Sequence, residues 1–212
     1  MFETLQAAPA DAIHGLITEH KNDPRPDTID LGVGVFRTAE GETPVIDVVK
    51  RAEQRILDTQ DSKAYIGTAG DPQFNAGMQA LTFGDAADAD RLCTIQAPGG
   101  SGSLRVAASL ILRARPDAKM WVSDPTWANH IPLLGGAGLE LVEHPYYDTK
   151  KHVIRIDAML DTLSKADAGD LVLLHACCHN PSGVDPSEDE WRAIADVIVE
   201  RDLVPFVDMA YQ

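Results

Sequence analysis

The stretch LVLLHACCHNPSGVD, residues 171–185, sets a short unbroken apolar run against a cluster of polar and thiol side chains. Leu171 to Leu174 carry no polar group on either alternating face. That pattern marks a strand buried on both sides, as in a parallel sheet covered by helices, rather than one with a wet face. Asn180, Pro181 and Gly183 then favour a turn. Between strand and turn stand His175, Cys177, Cys178 and His179, which together invite a zinc reading. Zinc ligand pairs are normally separated by about two to four residues, with a second pair further along. Here the two cysteines are adjacent, and neighbours in an extended chain point to opposite faces. The only other cysteine is Cys93. No metal is expected; the cysteines read as small buried residues at the strand end. The informative member is Asn180, an amide at the sheet's ligand-binding edge.

Working outward, the same alternation recurs. RLCTIQAP (91–98), KMWVSDP (119–125), LELVEHP (139–145) and VPFVDMAY (204–211) each read as a short apolar strand. Between them lie helical patterns. Leu104, Ala107, Ala108 and Ile111 recur at helical spacing until Pro116. A short helix in ANHIPLLGGAG (128–138) ends in glycines, and DAMLDTLSKA (157–166) opens on an aspartate. SEDEWRAIADVIVERD (187–202) has Ser187 and Glu190 at capping-box spacing, with Trp191, Ile194, Ala195 and Ile198 on one face. Upstream, Val45, Val48, Val49, Ala52 and Ile56 share a helical face, and residues 72–83 read as another helix. The first forty residues read as an arm, a short helix and a turn. Strands alternating with helices specify an α/β fold with a mostly parallel sheet flanked by helices. In such sheets ligands bind beyond the carboxyl ends of the strands. The segments to be read together are therefore 99–103, 124–130, 175–183 and 208–212.

Bulk properties narrow the partners. With 18 basic and 33 acidic residues the net charge is −15, which opposes non-specific binding to nucleic acid or anionic membranes. No apolar run approaches the roughly 20 residues of a membrane span. The N-terminus lacks a basic region followed by an apolar one, so no signal peptide is expected. Three cysteines, an odd and sparse set, suit free thiols in a reducing compartment, and the cytoplasm is the expected location.

Each strand-end motif has a functional and a plain reading. PGGSGSLR (98–105) joins a strand to a helix. Glycines permit close backbone approach and helix N-terminal N–H groups favour an anion, but the segment is also an acceptable flexible turn. It is neither a Walker loop nor a dinucleotide fingerprint. Trp127 in SDPTWANH (123–130) can stack on a flat ligand or plug the edge of the core. Asp208 ends a very apolar strand, where a carboxylate needs a donor or cation; it is either a counter-charge for a cationic ring or a cap or surface ion pair. One ligand fits all these parts. Pyridoxal phosphate combines a phosphate for the Gly/Ser loop, a ring for Trp127 and a ring oxygen for Asn180 and Tyr211. Its pyridinium N–H suits Asp208.

LGVGVF, KAYIGTAGDPQF, PGGSGSLR, VSDPTWANH, HACCHNPSGVDP and VDMAYQ, in this order, resemble the class I pyridoxal-phosphate-dependent aminotransferases of the aspartate and aromatic-amino-acid type, over the whole of residues 1–212. The resemblance implies the aspartate aminotransferase-like fold, with residues 1–44 as arm and small-domain segment and 45–212 as part of the large cofactor domain. It implies that Gly100 and Ser101 hold the cofactor phosphate and that Trp127 lies against the ring. Asn180 and Tyr211 would bond the 3-oxygen, and Asp208 the ring nitrogen. Tyr65 would reach the phosphate of the neighbouring subunit in a homodimer. Gly34 would lie in the loop closing over the substrate, which Trp127 and Asn180 also contact. The implied reaction is transamination between aspartate or an aromatic amino acid and a 2-oxo acid such as 2-oxoglutarate.

One family feature is missing. The Schiff-base lysine follows the position of Tyr211 after further strand and loop, and none of the seven lysines here has that context. The chain is expected to be the N-terminal half of such an enzyme, with no catalytic residue of its own, and inactive alone. Two other readings are a non-catalytic fragment that binds a partner subunit and a different nucleotide- or cofactor-binding α/β enzyme.

Overall fold

The computed structural model describes residues 2–4, 6, 12–30, 32, 34–86 and 88–211. Most of the expected N-terminal arm, together with Leu31, Val33 and Gln212, lies outside them. The chain forms two compact units, Met1–Tyr65 and Ile66–Gln212. The first contains helices α1 (Ala12–Asn22) and α2 (Asp47–Thr59). The amphipathic face expected around Val48, Val49 and Ile56 is present on α2, but none of its residues is buried. Within this unit Asp30 accepts from Gly32 N–H at 2.9 Å and pairs with Arg37 at 2.7 Å.

The second unit carries the sheet. Its elements run α3 (Pro72–Phe83), α4 (Gly99–Ala114), β1 (Lys119–Asp124), α5 (His130–Leu134), β2 (Glu140–Pro145), β3 (Tyr147–Asp148), β4 (Val153–Ile154), α6 (Ile156–Leu163), β5 (Leu171–His175), α7 (Glu188–Glu200) and β6 (Val204–Asp208). β3 and β4 form a small antiparallel pair that the sequence pattern did not announce. The main sheet has the order β2-β1-β5-β6, all parallel.

Side-chain alternation along the strands makes two cores, as buried parallel strands require. Met120, Val122, Leu171 and Leu173 point to one face, where Leu104 and Ala108 of α4 and Leu134 of α5 cover them. Val172 and Leu174 point to the other, against Met159 and Leu163 of α6 and Ile194 and Ile198 of α7. The capping box is formed: Glu190 N–H donates to Ser187 Oγ, and Ser187 N–H to Glu190 Oε2. Trp191 packs inward as expected, whereas Ala195 is exposed and Val197 takes the inward role.

Two expectations fail locally. RLCTIQAP is not a strand. Residues 92–96 alternate in exposure, and Leu92 is extended, but no strand pairs with them among the described residues. Gln96 N–H bonds Ala69 O and Asn75 reaches Thr94 O instead. Apolar composition favours an extended chain, but a strand also needs a neighbouring one to bond. The Cys-Cys pair is also not part of a strand: β5 stops at His175, and Cys178 has φ +51°. Cys177 is half-buried and Cys178 exposed, so they are not the buried strand-end residues the pattern suggested.

Leu173, almost wholly buried in the first core, should lose about 2–5 kcal/mol of stability on substitution to alanine. Ser187→Ala should lose about 1 kcal/mol through the cap. Urea unfolding measures both; equal losses would contradict this packing.

Candidate functional site

The strand order places the site. From β1 the chain passes to β2 on one side, then crosses to β5 and β6 on the other. The reversal lies between β1 and β5, where the loops beyond the strands diverge and leave a crevice at the carboxyl ends. A cavity of about 750 Å³ opens there. Gly100, Trp127, His175, Asn180, Asp208 and Tyr211 are among its lining residues.

At one side of this cavity α4 begins. Its N-cap is Pro98, which offers no side-chain cap, and its first turn holds no acidic residue. The N–H groups of Gly100 and Ser101, in the first turn and ahead of the first intrahelical hydrogen bond, can serve a small anion, with the helix dipole adding to them. Gly102 is needed for fit: a Cβ there would approach Pro98 Cδ and Cγ to 2.9 Å. Trp127 lines the cavity and packs on the first core, so it plugs the core edge with part of its surface towards the cavity.

Asp208, at the end of β6, is set by a histidine relay. His130, whose side chain is fully buried, lies with Nε2 2.8 Å from Asp208 Oδ2. His130 Nδ1 lies 2.8 Å from Thr126 Oγ1, which lies 3.3 Å from His175 Nε2. Asn180 N–H donates to His175 Nδ1 at 3.3 Å. Partner chemistry fixes the direction. A backbone N–H can only donate, so His175 carries its proton on Nε2 and donates to Thr126. Thr126 then donates to His130 Nδ1, and His130 Nε2–H donates to the carboxylate. The hydrogen bond from His130, opposed by burial and helped by the nearby imidazoles, holds the Asp208 carboxyl below the usual carboxylate range. No further hydrogen bond reaches Asp208 Oδ1 among the described residues, which leaves an anionic oxygen for a ligand donor.

Behind the relay, His179 stacks on Tyr146 at 3.9 Å between ring centroids and lies 4.3 Å from His175. Asp185 accepts from the N–H groups of Cys178 and His179 and so shapes the turn before Asn180. His144, His175 and His179 are each pushed down to about 4, mainly by burial. Burial, with Asp185 and Glu190 adding to it, pushes the Tyr146 hydroxyl up.

Of the residues expected from sequence, Gly100, Trp127, Asn180, Asp208 and Tyr211 line one cavity. Ser101 lies exposed in the first turn of α4; Ser103 faces the cavity instead, with its hydroxyl bonded to Gly99 O at 3.0 Å. Gly34 and Tyr65 belong to the other unit. Gly34 has open space where a Cβ would stand, and Tyr65 is fully exposed. Sequence reasoning passed over Thr126, His130 and His175 as a relay. Their signal was position alone: Thr126 and His130 come just after β1, and His175 ends its neighbour β5. No group of three or more His, Cys, Asp or Glu side chains among the described residues could hold a metal ion. No described helix is long and apolar enough to cross a membrane.

Comparison with known proteins gives a consistent result. The profile of the family described as aminotransferase class I and II matches residues 26–212. The chain is 44% identical over 215 residues to an aspartate aminotransferase of Escherichia coli (strain K12), covering all of this chain and 54% of that protein. It is 43% identical over 214 residues to an aromatic-amino-acid aminotransferase of Pseudomonas aeruginosa, covering all of this chain and 53% of the relative. A crystal structure of an aromatic-amino-acid aminotransferase from Burkholderia pseudomallei, covalently bound to pyridoxal phosphate, superposes with a TM-score of 0.95 at 39% identity, over the whole chain and 54% of that structure. The chain thus spans about half the length of the curated relatives it matches.

The histidines predict a pH dependence. Their folded values lie below the ordinary 6.5, so the unfolded chain binds protons first. Stability from this source is complete above about pH 6.5 and lost as pH falls towards 4, with His144 alone worth on the order of 3 kcal/mol. Urea midpoints measured across this window should fall with pH. His144→Phe should flatten the slope, and an unchanged slope would contradict the assignment.

Proposed function

The chain belongs to the class I and II aminotransferase family, and from that premise we propose that its strand-end cavity holds pyridoxal phosphate in a transaminase. In this reading the protein exchanges the amino group of aspartate or an aromatic L-amino acid with a 2-oxo acid such as 2-oxoglutarate. The single observation that carries the proposal is the pairing of two opposite requirements around one cavity. An uncapped helix N-terminus free of acidic residues meets an anion, and a relay-held carboxylate meets a cationic N–H, with Trp127 lining the space.

When bound, the cofactor supplies an electron sink for charge developing at the substrate α-carbon. The residues of this chain bind and orient. Gly100 and Ser101 offer backbone N–H groups to the phosphate, and Trp127 covers a ring face. Asn180 and Tyr211 suit the ring 3-oxygen. Asp208 keeps a proton on the ring nitrogen, because its own charge is maintained by the His130 N–H. Gly34 is proposed in the loop over the substrate and Tyr65 at the phosphate of a second subunit. Residues 1–44 then form the arm and small-domain segment of a cytoplasmic homodimer, and 45–212 part of its large domain. No lysine lines the cavity among the described residues, so within this chain the ring is held by non-covalent contacts alone.

Titration with pyridoxal phosphate, followed by cofactor absorbance and quenching of tryptophan fluorescence, tests the proposal. Asp208→Ala should weaken binding by roughly ten- to a hundredfold, the loss of one charge-assisted hydrogen bond. Equal affinity in the variant, or preference for a nucleotide, would overturn the assignment. Borohydride reduction of the chain with the cofactor should label no single lysine stoichiometrically; a clean label on one of the seven would place an imine-forming lysine at this cavity.

A further inference from the structure

A second chain of hydrogen bonds runs behind the first and stops one partner short. Ser123 and His144 are paired across β1 and β2, so their side chains share a face of the sheet at its carboxyl end. Both line a cavity of about 10 Å³, together with Tyr146, His179 and Trp191. His144 is 1% exposed, and its Nε2 has no hydrogen-bond partner. Its Nδ1 lies 3.2 Å from Pro145 O, a group that only accepts. The neutral ring therefore carries its proton on Nδ1, and Nε2 presents a lone pair that needs a donor.

The neighbouring bonds provide one side of a bridge. Val184 N–H donates to Ser182 Oγ at 3.2 Å, and Ser182 Oγ lies 2.8 Å from His179 Nδ1. His179 Nε2 in turn lies 2.9 Å from Ser123 Oγ. Where Ser182 donates to His179 Nδ1 and His179 Nε2–H donates to Ser123, the Ser123 hydroxyl proton has no acceptor in this chain of bonds, and His144 Nε2 has no donor in either tautomer of His179. Both border the same small space, whose volume is about that of one water by the measure appropriate to buried solvent.

We propose that a single buried water occupies this cavity, accepting from Ser123 Oγ–H and donating to His144 Nε2. It closes a relay that runs from Val184 N–H through Ser182, His179, Ser123 and the water to His144, and ends on Pro145 O. The relay fixes the ring of His179, which lies against His175, and so supports from behind the group that orients Thr126 and His130. This site is independent of the identity of any ligand in the large cavity.

A high-resolution crystal structure of the protein should show one ordered water within about 3.2 Å of both Ser123 Oγ and His144 Nε2. A dry cavity, or a direct Ser123–His144 hydrogen bond, overturns the proposal. In solution, long-range ¹H–¹⁵N correlation spectra should show His144 protonated on Nδ1, with Nε2 shifted as a hydrogen-bond acceptor. Ser123→Ala should move that Nε2 resonance while leaving the Nδ1 tautomer in place. If the variant fails to fold, the wild-type spectrum still decides: an Nε2-protonated His144, or an Nε2 resonance typical of an unbonded nitrogen, rejects the water site.

Discussion

A carboxylate at the end of an apolar strand is tenable only with a donor, and the site depends on how Asp208 obtains one. His130 provides it from a fully buried position at the start of α5, across from β6. A buried imidazole with one nitrogen committed to Asp208 must satisfy the other, and Thr126 does so. Thr126 in turn needs a donor, which is His175, and His175 takes the N–H of Asn180. Each link exists because leaving the previous group unsatisfied in a buried setting is costly. The result is a polar chain that begins beside one cavity residue, Asn180, and ends at another, Asp208.

The sheet order makes this chain geometrically possible. Thr126 and His130 follow β1, and His175 ends β5 with Asn180 beyond it, the two strands between which the order reverses. Asp208 ends β6, in register with His175. Three consecutive sheet neighbours therefore deliver their carboxyl ends to one rim. The two apolar cores on opposite faces hold these strands, so site geometry is a consequence of core packing rather than of the loops alone.

Electrostatically, a chain of net charge −15 presents a local site suited to an anion without basic side chains. No lysine or arginine lines the large cavity among the described residues. The favourable field comes from backbone N–H groups at the start of α4, a short-range source that acts on a small anion and does little for a polyanion. That reconciles an acidic surface, unfavourable to nucleic acid, with a proposed phosphate-bearing ligand.

By itself the sequence determined the strand–helix alternation, because buried parallel strands and amphipathic helices have distinct periodicities that are local. It also picked out Trp127, Asn180 and Asp208 at or beyond strand ends, since ligands gather there in any such sheet, while Gly100 reaches the same cavity from the start of a helix that no strand precedes among the described residues. RLCTIQAP was misjudged because β structure needs a neighbour, and no local pattern states whether one lies alongside. Cys177 and Cys178 were misjudged because the strand's end is set by pairing with β6, which stops at His175 and Asp208. The two histidine relays were decided only by tertiary structure. His130 and Asp208 stand 78 positions apart in the chain, and Ser123 and His179 stand 56 apart. Their hydrogen bonds depend on strand order and register, which bring distant strand ends within 3 Å of one another while leaving no trace in the spacing of the residues themselves.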